Sequence, residues 1–281
     1  TPSEYVNPFV GTDYNGHTFP GATVPFGMVQ LSPDTRVDGS WEGCSGYHYS
    51  DNRIFGFSHT HLSGTGVSDY GDILIMPQLG SGSFEQDEYS AIFKHENEWA
   101  APGYYSVKFD NGIVAELTTT TRVGFHKYTF PQNQFSIVID LEHRDYLEDG
   151  ALTVIDDQTL SVRRVSSAWA KEQHCYAQVL FSSPFKHRYN ATKTKIILVF
   201  NVDAKELMIK SGISFVNENG AKKNLIAELS HWNFDQCKDD AKRSWNDALW
   251  KIEVKDENLE KLKTFYTALY HVMIHPNIAM D

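Results

Sequence analysis

Apolar and polar side chains alternate with a period of two along much of this chain, between about residue 100 and residue 216. The segments Tyr104–Phe109 and His174–Phe181 show the alternation most clearly. Successive side chains of a β-strand point to opposite faces of the sheet, so the pattern predicts half-buried strands. Strands with one buried and one solvated face are typical of antiparallel sheets.

The dipeptide Asn111-Gly112 predicts a hairpin between a strand that ends at Phe109 and the run Ile113–Thr121. Asn and Gly adopt positive φ readily, as the type I′ turn of a two-residue hairpin requires. Further strands are predicted over residues 123–130, 135–140, 151–155, 160–165, 194–202 and 206–216. So many strands without intervening helices predict a mainly β fold, a large antiparallel β-sandwich.

The hydrophobic period changes near residue 220 to that of a helix. Helices are predicted over Ala221–Leu229 and Asp235–Trp250, and a third helix is expected to begin after Asp256 as its N-cap. Glu257 and Glu260 would lie in the first turn of this third helix, where acidic side chains favour the positive end of the helix dipole.

The third helix carries an apolar stripe with the spacing of a packing face. Its members are Leu259, Leu262, Tyr266, Leu269 and Met273. The stripe needs an apolar partner, and Pro276 should end the helix near His275. We therefore expect two parts, an N-terminal β-sandwich domain over residues 1–230 and linker helices over residues 231–281.

Charge and composition exclude several classes of protein. The chain has 281 residues and a net charge of −11, which repels phosphate backbones and argues against a nucleic-acid partner. No run approaches the roughly 18 apolar residues of a membrane span. The three cysteines form neither a disulfide framework nor a CxxC metal motif. The GxSxG, P-loop and GxGxxG motifs are also absent.

Residues 7–76 differ from the rest because Gly, Ser, Thr, His and aromatic residues crowd together there. Glycine costs backbone entropy, so this density indicates ordered functional loops rather than packing alone. Glycines let the backbone approach a ligand, His and Thr bind hydroxyl groups, and an indole face covers the apolar face of a sugar. The segment predicts a neutral, hydroxyl-rich ligand. Simple turns, and a core or hinge position for Trp41, are the alternatives.

The motif His59-Thr60-His61 could place two imidazoles on one face of a strand, as some zinc sites do. No third ligand is apparent in the sequence, so hydrogen bonding is the preferred interpretation and a zinc hydrolase the alternative. Asp69 and Asp72 lack the alternating acidic pattern of a calcium loop and are expected to be turn residues.

Five segments together closely resemble glycoside hydrolase family 92, the calcium-dependent exo-acting α-mannosidases. They are Tyr5–Thr12, Pro25–Thr35, Cys44–Tyr47, Gly56–Gly64 and His275–Asp281. The resemblance implies an N-terminal β-sandwich joined by linker helices to an (α/α)6 barrel, with the active site between them. It also implies that residues 231–281 include the first helix of that C-terminal catalytic domain, which would be a partner of the sandwich.

The resemblance implies an inverting mechanism that acts on terminal α-mannose of N-glycans or mannans. A carboxylic acid protonates the leaving oxygen and a carboxylate base activates water, the pair lying roughly 6.5 to 9.5 Å apart. Calcium is the implied cofactor and would hold O2 and O3 of the sugar. The acid, the base and most calcium ligands are expected from the barrel, so no catalytic or metal-binding residue is assigned to this chain.

We expect this chain to supply one wall of the pocket for a mannose-containing glycan. The candidate substrate-binding residues are Trp41 for stacking, His17, His59 and His61 for polar contacts, and Gly64, Thr65 and Gly66 for close backbone approach. A stand-alone carbohydrate-binding β-sandwich without catalysis is the alternative. The chain begins with Thr1, which fits either removal of a signal peptide or trimming, and we expect a secreted or periplasmic protein.

Overall fold

The computed structural model describes residues 1–281, and most of the chain forms two antiparallel sheets. In spatial order, the six-stranded sheet contains β1 (Ser32–Asp34), β3 (Gly56–Ser58), β4 (Leu74–Leu79), β9 (Gln134–Asp140), β14 (Lys195–Asn201) and β13 (Lys186–Tyr189). Its central strands β9 and β14 pair in register, with Ile139 opposite Ile196 and Ile137 opposite Leu198. These β-branched and leucine side chains fit a sheet that is buried at its centre.

The second sheet has nine strands. In spatial order they are β10 (Tyr146–Asp156), β11 (Thr159–Ser167), β12 (Gln173–Phe181), β15 (Glu206–Ser214), β8 (Val123–Thr129), β7 (Val114–Thr119), β6 (Tyr104–Phe109), β5 (Ala91–Ala101) and β2 (Arg53–Ile54). The burial of β12 alternates along its length as the period of two predicts.

The main hydrophobic core lies between the two sheets. Phe57 of β3 packs against Tyr105 of β6 and Tyr128 of β8, with ring centroids 6.4 and 6.2 Å apart. Each fully buried aromatic or aliphatic side chain contributes about 1.5 to 3 kcal/mol to folding. The predicted antiparallel β-sandwich is thus confirmed.

The predicted hairpin at Asn111-Gly112 is also present, but its turn is of a different type. Gly112 has φ +88°, whereas Asn111 is not among the residues with positive φ. The Gly112 N–H donates to the Phe109 carbonyl and the Phe109 N–H donates to the Ile113 carbonyl, both at 2.9 Å. This is a three-residue loop with glycine in the left-handed position, so the type I′ prediction was wrong.

The helices are a 3₁₀ turn (Pro2–Tyr5), α1 (Gln86–Tyr89), α2 (Glu218–Glu228), α3 (Phe234–Leu249) and α4 (Leu259–Val272). The N-cap of α4 is Asn258, whose side chain accepts hydrogen bonds from the backbone of Glu260 and Lys261. Asp256 instead accepts from the Asn258 N–H at 2.8 Å. The Asp256 cap prediction was wrong. Asp and Asn cap helices about equally well, so residue type alone could not choose between Asp256 and Asn258.

The apolar stripe of α4 finds its partner within the chain. Leu262 and Tyr266 are buried in a small core with Trp245 of α3 and with Val6 and Phe19 from the N-terminal segment. Trp245 also donates its indole N–H to the Thr23 carbonyl at 2.6 Å. The N-terminal residues and the helices are therefore joined into one body, and of the stripe only Leu259 is largely exposed.

The segment after α4 returns to the sandwich. The Phe26 N–H donates to the Met273 carbonyl at 2.7 Å, and the Ile278 N–H donates to the Phe26 carbonyl at 2.9 Å. Asp281 accepts from Ser214 and Asn224 at 2.8 and 2.9 Å. No helix combines the length and apolar character needed to cross a bilayer.

Candidate functional site

The glycine-rich loops of residues 7–76 are tied to one another by backbone hydrogen bonds. The Gly64 N–H donates to the His17 carbonyl at 2.7 Å, and the Tyr49 N–H donates to the Thr12 carbonyl at 2.8 Å. These bonds join loops that are far apart in sequence. The result is one continuous surface built from irregular backbone, the kind of surface on which binding residues are usually carried.

Trp41 is exposed on this surface. Its side chain is 55% exposed, and its ring lies edge-on to His17 with centroids 4.6 Å apart. A Cβ at Gly66 would lie 2.6 Å from the indole Nε1, so only glycine leaves room for this indole position. The structure thus brings together Trp41, His17 and the Gly64–Gly66 loop, as a shared binding surface requires.

His17 connects the two sides of this surface. It is almost completely buried and has φ +54°, a left-handed conformation that is uncommon outside glycine. The Cys44 thiol donates to the Thr65 carbonyl at 2.9 Å, so the sulfur accepts from His17 Nδ1 at 3.1 Å. His17 Nε2 is buried without a partner in the chain. Leaving a buried polar atom unpaired costs free energy, so a hydrogen bond from a ligand to this atom would be favourable.

His61 lies beneath this surface. Its Nδ1 donates to the Gln30 carbonyl at 2.7 Å, and its Nε2 lies 2.8 Å from the Asp34 carboxylate. His61 thus bridges the Gln30 carbonyl and the Asp34 carboxylate. Burial opposes ionisation of Asp34, but the attraction of His61 and the approach of His143 Nε2, 3.3 Å away, outweigh it and hold the pKa of Asp34 well below its usual value.

His59 is also fully buried, but on a different side of the core. Its Nδ1 donates to the Ile73 carbonyl at 2.8 Å, and its Nε2 faces His126 Nε2 at 3.2 Å. Burial lowers the pKa of His59 to about 4, so the ring is neutral near pH 7. Both predicted histidines are therefore occupied by the chain itself, and a direct sugar contact from either stays a prediction.

The acidic residues near this surface serve the fold. Asp72, expected to be a turn residue, is fully buried and accepts from Arg164 at 2.8 Å and from Thr60 at 2.8 Å. Asp69 accepts from the Ala170 N–H at 2.9 Å. The prediction that Asp72 is a turn residue was wrong. The sequence could not reveal its buried ion pair, because Arg164 lies 92 residues further along the chain. Sequence reasoning also missed Asp34, which lies within the Pro25–Thr35 segment but was not singled out as a buried charge.

The possible metal ligands of this chain do not converge on one point. No group of three or more His, Cys, Asp or Glu side chains lies close enough to hold a metal ion. His59 and His61 point to different partners and do not share a coordination centre. The residues present thus fit neither a zinc site nor a complete calcium site.

Comparison with protein families gives a direct match. Residues 5–223 match the glycosyl hydrolase family 92 N-terminal domain, and residues 220–281 match the glycosyl hydrolase family 92 catalytic domain. The chain belongs to glycoside hydrolase family 92. The family resemblance predicted from the five sequence segments is confirmed.

Solved GH92 structures share the fold. A GH92 α-mannosidase from Bacteroides thetaiotaomicron, determined with mannoimidazole, is 32% identical with a TM-score of 0.89 over 99% of this chain and 40% of its own. A GH92 inverting mannosidase from the same bacterium is 28% identical with a TM-score of 0.87 over 98% of this chain and 40% of its own.

The chain also matches about two fifths of the length of a curated relative. An uncharacterized secreted glycosidase of Arthroderma benhamiae is 29% identical over 97% of this chain and 41% of its own length. This GH92 chain therefore spans about two fifths of the length of the relatives it matches. The family models meet at residues 220–223, and the predicted domain boundary at residue 230 stays a prediction.

Proposed function

We propose that this chain is the N-terminal part of an inverting, calcium-dependent exo-α-mannosidase acting on terminal α-mannose of N-glycans or mannans. Its role is to supply one wall of the sugar pocket. Similarity to GH92 α-mannosidases over nearly the whole chain supports the activity. The observation that carries the role is the half-exposed indole of Trp41, held between His17 and Gly66.

The wall acts through shape and hydrogen bonding rather than charge. The indole face of Trp41 covers the apolar face of the mannose ring, which is the usual part played by tryptophan in sugar sites. Backbone groups of Gly64, Thr65 and Gly66 approach the sugar closely because two of the three residues have no side chain. His17 accepts a sugar hydroxyl at Nε2, which has no partner within the chain.

The chemistry itself is assigned to the remainder of the enzyme. Inversion requires an acid and a base roughly 6.5 to 9.5 Å apart, on opposite sides of the sugar. These carboxyl groups and most of the calcium ligands are proposed to come from the (α/α)6 domain, since residues 1–281 hold no group of three or more side chains placed to bind a metal ion. A secreted or periplasmic location is proposed from the secreted relative.

The activity is tested with the full-length enzyme and α-mannosyl fluoride or α-linked mannobiose. Proton NMR of the first product should show β-mannose, as inversion requires. Trp41→Ala should lower kcat/KM at least tenfold, while Trp99→Ala should not, because Trp99 is 65% exposed on β5 outside the glycine-rich loops. α-Mannose as first product, or equal effects of the two variants, would contradict the proposal.

The binding-module alternative is separated by titration of this chain alone with methyl α-mannoside. A half-site should bind negligibly, whereas a complete module should bind without the barrel. A submicromolar Kd would show that the chain is a complete carbohydrate-binding module and would contradict the half-site. The match of residues 220–281 to a catalytic domain favours the half-site.

A further inference from the structure

Tyr14 is the most exposed large hydrophobic side chain of this protein. It is 81% exposed, and its φ is +50°. A left-handed conformation is costly for a bulky residue and persists only where the surrounding structure enforces it. An aromatic ring held in solvent at this cost points to a function of the ring.

The loop that carries Tyr14 is firmly held. The Tyr14 N–H donates to Asp13 Oδ1 at 2.9 Å, and its carbonyl accepts from His48 Nε2 at 3.2 Å. His48 is buried, so this support comes from inside the protein. Gly16 packs directly on Gly11, where a Cβ would lie 2.1 Å from the carbonyl oxygen. The backbone is thus fixed while the ring is free.

Tyr14 stands on the same surface as Trp41. It precedes His17 by three residues, which limits the separation of their Cα atoms to roughly 10 Å. The His17 ring in turn lies 4.6 Å from the Trp41 ring. His48, which binds the Tyr14 carbonyl, belongs to the loop that contains Trp41. The two exposed aromatic side chains therefore project from loops that meet at His17 and His48.

We propose that Tyr14 is a specificity-determining residue that stacks on the sugar next to the terminal mannose. This inference rests on the proposed function and deepens it. A phenol ring offers an apolar face with only two side-chain torsions to order, so it binds the apolar face of a pyranose at small entropic cost. Tyr14 is 81% exposed, which leaves its ring accessible to a ligand.

The proposal is tested with the full-length enzyme by calorimetric titration with methyl α-mannoside and with non-hydrolysable S-linked α-mannobioses of 1,2, 1,3 and 1,6 linkage. Tyr14→Ala should weaken binding of at least one disaccharide about tenfold, equivalent to about 1.4 kcal/mol, and leave the monosaccharide unchanged. Tyr14→Phe should behave as the wild type because it keeps the ring. Tyr146→Ala is the matched control, since Tyr146 is also exposed but lies on β10.

Equal loss of both ligands in Tyr14→Ala would overturn the proposal and indicate a contact between domains instead. Unchanged affinity for all disaccharides would overturn it as well. Hydrolysis of α-mannosyl fluoride by the wild type is measured in parallel. Absence of that hydrolysis would refute the proposed enzymatic activity, while the titration with S-linked ligands would still decide the role of Tyr14.

Discussion

His126 Nε2 lies 3.2 Å from His59 Nε2 in the interior of the sandwich, and a single proton joins the two rings. His59 Nδ1 must donate to the Ile73 carbonyl, which leaves its Nε2 as an acceptor. His126 therefore donates from Nε2, and its Nδ1 accepts from the Tyr128 hydroxyl at 2.8 Å. The hydrogen-bond chain is complete only while both imidazoles are neutral.

This pair predicts a loss of stability in acid. Burial lowers the pKa of His59 to about 4, and burial together with His59 lowers the pKa of His126 well below its ordinary value. The unfolded imidazoles bind protons near pH 6.5, whereas the folded ones do not. Stability from His59 is therefore present above pH 6.5 and falls by as much as about 3 kcal/mol toward pH 4.

The measurement is urea unfolding of the wild type and His126→Leu at pH 7.5 and pH 5. The leucine variant removes one titrating group, so its stability should change less between the two pH values. His174→Leu serves as the control because His174 lies at the surface of β12. Equal pH dependence in the wild type and His126→Leu would refute the assignment.

Asp145 predicts the opposite pH dependence. Burial, opposed by Arg144 and Arg164, raises the pKa of this carboxyl to about 7. Its folded pKa lies above the unfolded value, so ionisation costs stability increasingly as pH rises from about 4 to about 7. Asp145→Asn should raise the free energy of unfolding by as much as about 4 kcal/mol at pH 8 and leave it unchanged at pH 4, and thermal unfolding would show the gain as a Tm higher by several degrees. Asp110→Asn at an exposed turn is the control, and a gain at both pH values would count against the charge argument.

Arg164 and Arg163 form a matched pair for testing buried against exposed charge. Arg164 lies 2.8 Å from Asp72 with both side chains fully buried, whereas Arg163 pairs with Asp149 at 2.6 Å near the surface. Arg164→Leu leaves a buried carboxylate without its cation and should cost about 3 to 5 kcal/mol. Arg163→Leu should cost less than about 1 kcal/mol. Denaturant midpoints of the two variants measure both losses of stability. Similar losses would refute the prediction that the buried ion pair matters more for stability than the exposed one.

Gly66 tests the position of Trp41. An alanine methyl group would lie 2.6 Å from the indole Nε1, so Gly66→Ala should displace the ring without unfolding the protein. We expect weaker binding of methyl α-mannoside by the full-length enzyme and an altered tryptophan emission spectrum. The spectral change should vanish in a Trp41→Phe background. An unchanged spectrum with lost binding would show that Gly66 acts by another route.

Much of the sandwich was predictable because strands report their burial locally. The alternation over His174–Phe181 predicts β12 directly, since adjacent side chains face core and solvent in turn. The composition of residues 7–76 predicted ligand-binding loops, and Trp41 and His17 do lie together. His59 and His61 could not be placed in this way, because two histidines two residues apart look the same whether solvent or a distant strand covers them.

Strands, the helical tail and family membership follow from short-range patterns, because each depends on residues close together in the chain. The charge network depends on contacts that no local pattern encodes. Asp72 and Arg164 are separated by 92 residues, and His59 and His126 by 67. Only the packing of the two sheets brought these distant groups within hydrogen-bonding distance. The tertiary structure therefore decided which polar side chains are buried and which aromatic side chains remain in solvent.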